Sequence, residues 1–176
     1  MKQPGMLQTA VLALLLILAT SATAAEVQRR GGVYYVYLPA TNDFVQVVKH
    51  LETEIENKNW EVLKEQDIDK GLKANYQMDV QSKVVYACKS QYLAQAIRED
   101  PNITLIVPCR FAVYRVDAAG KAVGGTADRS GKIVIGISDP VAEARHLGIK
   151  QVEAAGMAGK ELREILEDLA AFYGTK

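Results

Sequence analysis

An α+β two-layer sandwich, with a mixed sheet of about five or six strands and helices packed on one face, is the fold this 176-residue chain predicts. Three observations carry that expectation. Short β-branched and aromatic runs end at turn residues, and the stretches between several of them repeat apolar residues at helical spacing. A central hairpin signal then breaks what would otherwise be plain strand–helix alternation.

The chain opens with Lys2, an unbroken apolar stretch from Ala10 to Ala19, and the small residues Ser21 to Ala25. That pattern is a secretory signal over residues 1–24, with Ala22-x-Ala24 offering the cleavage site. An apolar core of about ten residues is too short to span a bilayer as a helix, so a cleaved leader is expected. A periplasmic or secreted protein follows, with no membrane span after cleavage. Residues 25–32 are polar and end in Arg-Arg-Gly-Gly, which predicts a flexible segment ahead of a single domain over 33–176.

Val33 to Leu38 is a first strand, stopped by Pro39. Asn42 and Asp43 are capping residues for a helix to Asn57, whose inner face holds Phe44, Val47, Val48, Leu51 and Ile55. Trp60 to Glu65 alternates as a second strand, and Asp67 or Asp69 caps one or two turns containing Leu72. Val84 to Cys88 is a third strand. Ser90 is placed to cap a helix that Asp100-Pro101 terminates. Ile103 to Val107 reads as a fourth strand, bent near Pro108-Cys109, with the apolar pattern resuming from Phe111 to Tyr114. Asp117 to Lys121 is a turn, Lys132 to Ile137 the last strand, and residues 123–130 have no clear assignment. Val141 to Leu147 forms a short helix. A longer one follows, with Leu162, Ile165, Leu166, Leu169 and Phe172 in one stripe.

Charge narrows the functional classes. The chain holds 21 basic and 21 acidic side chains, and without Lys2 one acid is in excess. Scattered lysines and arginines without net positive charge argue against a nucleic-acid surface. Gly124-Gly125 lacks the strand–loop–helix setting of a phosphate cradle, and the two histidines, His50 and His146, stand alone. Tyr34, Tyr35 and Tyr37 suit strand packing with one wet tip, or the wall of a pocket for an aromatic or lipid-like ligand.

The segments Val85-Tyr86-Ala87-Cys88, Leu93-Ala94, Leu105 to Tyr114 and Ile137-Ser138-Asp139-Pro140 together resemble the bacterial domain-of-unknown-function family 302. The likeness covers about Val33 to Tyr173, and the Pro-Cys followed by an alternating strand is its most specific element. Members carry Asn-Pro after the first cysteine, where this chain has Lys89-Ser90. The resemblance implies a small α+β fold, often a homodimer, and brings no established activity. The tyrosine-rich first strand adds an edge through which two copies could pair.

Cys88 and Cys109 are the chemical lead. If the third and fourth strands are parallel partners of a β-α-β crossover, both cysteines lie at one sheet edge. Three readings stay open there. A disulfide would close a loop of some twenty residues. A reactive pair would draw on the helix start and on Lys89 to lower the Cys88 thiol pKa, as in a redox or sulfur-carrier protein. A copper or zinc site would use both thiolates, with His146 and Met157 as further ligands. Ser90, Lys89 and Arg110 flank the cysteines and complete the candidate site. No other cofactor is expected. The sequence therefore predicts a non-enzymatic module that binds a small ligand or a periplasmic protein, with thiol chemistry and metal binding as alternatives.

Overall fold

A computed structural model describes residues 25–124 and 131–174; the segment expected to be a leader, residues 1–24, lies outside the described residues, as do residues 125–130 and 175–176. Gln28–Arg30 (β1) and Val33–Pro39 (β2) form a hairpin in which Arg30 faces Val33. Gly31 and Gly32 are the two turn residues, both at positive φ, and only such a turn matches the twist of the flanking strands. The segment expected to be flexible thus supplies an edge strand, because two consecutive glycines permit so short a connection.

Phe44–Asn57 (α1) starts where the Asp43 carboxylate accepts the Gln46 amide at 2.9 Å. Its five inward residues are the ones the periodicity selects. Glu61–Asp67 (β3) leads directly into Ile68–Tyr76 (α2), which buries no residue. Asp67 stands at the cap of α2 without a side-chain capping bond, since its carboxylate pairs instead with Lys70 and Lys83. Ser82–Cys88 (β4) and Ser90–Glu99 (α3) follow. Lys132–Ser138 (β6), Pro140–His146 (α4) and Glu153–Gly174 (α5) close the fold.

One expected strand does not form. Pro101–Leu105 is a 3-10 turn, begun by Asp100 accepting the Asn102 amide, and Ile103 enters a small core with Ala96, Ala144, Ile149 and Ala154. The strand starts only at Cys109, after a cis Val107–Pro108 peptide, and runs to Val116 (β5). A connection that leaves β4 and returns at the same edge makes its neighbour antiparallel. A crossover would have needed a strand starting at the opposite edge.

The sheet order is β1-β2-β6-β5-β4-β3, with every pairing antiparallel, in place of the mixed sheet expected. The α+β two-layer sandwich itself is as the sequence predicts. Alternate residues Val36 and Leu38, Val85 and Ala87, Phe111 and Val113, and Ile133, Ile135 and Ile137 form the inner face. Against it lie α1 and α5, the latter contributing Leu162, Ile165, Leu166 and Leu169, all fully buried. Among the described residues, no helix is long and apolar enough to cross a membrane.

Candidate functional site

β4 ends at Cys88 and β5 begins at Cys109, so the two cysteines do share one rim of the sheet. The register explains their state. Cys109 faces Ala87, one step before Cys88, and the offset leaves the cysteines as diagonal neighbours instead of a facing pair. Both are free thiols, so of the three readings left open the disulfide is not formed.

Both thiols line a cavity of about 40 Å³, room for a few atoms. Trp60, Tyr92, Ala96, Ile103, Ile106 and Ala158 line it with them. The apolar wall determines the electrostatics. Burial pushes the Cys109 thiol up to about 12, reinforced by the neighbouring Cys88 and Glu143. Cys88 is also raised, by burial and then by Glu61, and the hydrogen bond from the Lys89 amide only offsets part of this. The depressed thiol pKa that the helix start suggested is therefore corrected: desolvation of the thiolate outweighs the dipole end.

Lys89 explains the rest. Its ammonium donates to Glu161 Oε2 at 2.7 Å and to the Lys58 carbonyl at 2.9 Å, so its charge is engaged away from Cys88. Glu161 also accepts the Trp60 indole at 2.8 Å and the Tyr92 hydroxyl at 2.6 Å. Burial opposes ionisation of Glu161, yet these three donors outweigh it and lower its pKa. The same hydrogen bond, with burial, lifts Tyr92 to about 12. This carboxylate ties α5 to α3 and to the residues just ahead of β3 and α3. Nothing in the sequence singled out Glu161, because its partners lie 69 to 101 residues away along the chain.

Of the residues expected at the site, Cys88, Cys109 and Lys89 line the cavity, while Ser90 and Arg110 do not. Ser90 is the first helical residue of α3, with Lys89 at the cap position and no side-chain capping bond. Arg110 alternates to the outer face of the sheet, where its guanidinium reaches Glu143 at 3.7 Å. His146 and Met157 are exposed on α4 and α5, away from the thiols' lining. Among the described residues, no three histidine, cysteine or acidic side chains are grouped to hold a metal.

Tyr34 turns inward, its hydroxyl 3.3 Å from Asp139, which also accepts Arg29 at 2.8 Å. One more buried polar residue lies on β5. Arg115 continues the inward alternation of Cys109, Phe111 and Val113, and is almost fully buried. It donates to the Ala40 carbonyl at 2.6 Å and to Gln81 at 2.7 Å.

No curated protein matches the chain. A crystal structure described as an uncharacterized conserved protein DUF302 from Bacillus stearothermophilus matches with a TM-score of 0.65 at 17% identity. The match covers 78% of this chain and 98% of that one, and it supports the fold alone. The family model "Domain of unknown function DUF302" matches residues 36–169. With three-quarters of its length under that model, and with the Pro108-Cys109 strand where the resemblance placed it, the chain belongs to the DUF302 family.

Proposed function

We propose that this protein is an exported, non-enzymatic binding domain that takes a small uncharged ligand in the cavity between its two thiols. The observation that carries the reading is the convergence of Cys88 and Cys109 on one apolar, narrow space. Raised pKa values keep both groups as neutral thiols near pH 7, which suits an uncharged guest and weighs against the thiol-redox and sulfur-carrier alternatives. Copper(I) is the second reading. Cys88 and Cys109 are diagonal neighbours that line one cavity, and a soft cation is held by thiolates, releasing their protons on binding.

Xenon is a suitable probe, because it is a small apolar atom that enters apolar cavities without hydrogen bonds. Xenon-saturated protein is expected to shift the Ala96 and Ala158 methyl resonances, and Ala96→Leu to abolish the shift. Unchanged methyl signals would dismiss the cavity reading. Copper(I) titration against a chelating competitor separates the second reading, which requires one ion per chain, lost in Cys88→Ser. Export is tested by fractionation and N-terminal sequencing, with Ala25 expected as the mature start.

A further inference from the structure

The outer face of the sheet, opposite the helices, is where an α+β sandwich normally meets water with polar side chains. Here the rim is polar and the centre is not. One cross-strand row reads Tyr35, Gly136, Ala112, Val84 and Gln66, and the next reads Tyr37, Val134, Tyr114 and Ser82. Two residues with little or no side chain thus sit at the middle of a face whose centre otherwise carries tyrosine and valine. The result is a trough of about 400 Å³, the volume of an ordinary small-molecule site.

Its walls have a defined chemistry. The Tyr35 ring lies against Gly136 so closely that a Cβ there would stand 3.0 Å from ring carbon Cε1. Tyr86 and Tyr114 bound the opposite side. Among the described residues, no hydrogen bond engages the hydroxyls of Tyr35 or Tyr114. At one end stand Ser138 and Arg110, one register step beyond the Phe111–Ile137 pair. The Arg110 side chain is 54% exposed and meets the half-buried Glu143, which also lines the trough, at a loose 3.7 Å. Most of its five donors remain available to an anion.

We infer that this trough is a second ligand site, for a planar aromatic anion whose ring system lies on Ala112 among the tyrosines and whose carboxylate meets Arg110 and Ser138. Flat rings suit such a site because stacking and edge contacts with tyrosine need no directional partner. The charged end is fixed by the guanidinium, and the free phenols accept or donate to ring substituents. The inference stands independently of the thiol cavity. The two sites adjoin only at Ile106, Cys109 and Glu143, which line both.

The test is calorimetric titration of the full mature chain with 2-naphthoate and, separately, with its neutral analogue 2-naphthalenemethanol. Saturable naphthoate binding is expected, weakened about tenfold in Arg110→Gln, where the two probes become equal. Ala112→Leu fills the floor and abolishes binding of both, while Cys88→Ser, which alters only the thiol cavity, leaves both unchanged. Positions 110 and 112 face outward, so thermal melts of the variants should match the parent. Three outcomes overturn the inference. They are no saturable binding up to about 5 mM, naphthoate binding that survives Ala112→Leu, and a sedimenting dimer that Ala112→Arg converts to monomer. The last would show that a second copy of the chain covers this face.

Discussion

Lys89 follows Cys88 directly in the chain, yet its charge serves Glu161 on α5. At the scale of single residues this is the general lesson of the site: sequence neighbours share a backbone, and side-chain partners are chosen by packing. Cys109 is expected to alkylate slowly with iodoacetamide at pH 8, with a rate that climbs toward pH 12, because burial pushes its thiol from the ordinary 9.0 up to about 12. Mass spectrometry of pH-quenched samples checks it. An inflection below 9 would contradict the desolvation argument. Glu161→Gln removes the charge that Lys89, Tyr92 and Trp60 all address. A loss of about 2–4 kcal/mol is expected, since a largely buried ammonium is left without a counter-charge. Tyr92 should then titrate well below 12, nearer its ordinary 10.0, when its ring signals are followed by NMR. A stability loss with Tyr92 still near 12 would mean that Glu161 is not what raises it.

Among the elements, α1, α3, α5 and most strands were legible because each repeats apolar residues at its own period over enough positions to be recognised. Two pieces were not. Ile103 to Val107 has the β-branched composition of a strand, but Pro101 and the Asp100 cap favour a tight turn, and the small core around Ile103 holds it there. Gln28–Arg30 is fully polar and exposed, so it carries no apolar alternation, and only its two-glycine turn commits it to the sheet. β5 makes a testable point about loops. Arg115 reaches from this strand to the Ala40 and Asn42 carbonyls and to Gln81, holding the β2–α1 connection against the sheet. Arg115→Met is expected to cost about 1–3 kcal/mol, by leaving those acceptors unsatisfied. Hydrogen exchange should then quicken for residues 40–43, and a denaturation midpoint equal to the parent's would refute the role.

For the whole molecule, the shifted groups set a pH window of stability. Asp67, through Lys70 and Lys83, and Glu161, through its three donors, are held below their ordinary values of 3.8 and 4.5. The folded chain then binds fewer protons than the unfolded one in mild acid, so their contribution is complete above about 4.5 and is lost as pH falls through the folded values. Cys109 and Tyr92 are raised, which reverses the sign. Their contribution is complete below the ordinary values of 9.0 and 10.0 and is lost as pH climbs to about 12. A melting temperature that is flat near neutrality and falls on both sides is expected, with the alkaline fall reduced in Cys109→Ala. A profile rising from pH 9 to 12 would be incompatible with these shifts.

What the sequence determined by itself was the α+β class, the inner face of α1 and that of α5 up to its last turn, where Tyr173 is buried and the expected Phe172 is exposed, the family likeness and the two cysteines as the chemical lead, because these depend on local period and residue type. Only the tertiary structure decided that the sheet is antiparallel throughout and that the thiols are free, neutral and open to one cavity. Tertiary packing also gave the sheet's far side its tyrosine-walled trough. Those properties depend on which strands become neighbours and in what register, and that is fixed by how distant apolar faces pack together, which no local window of sequence contains.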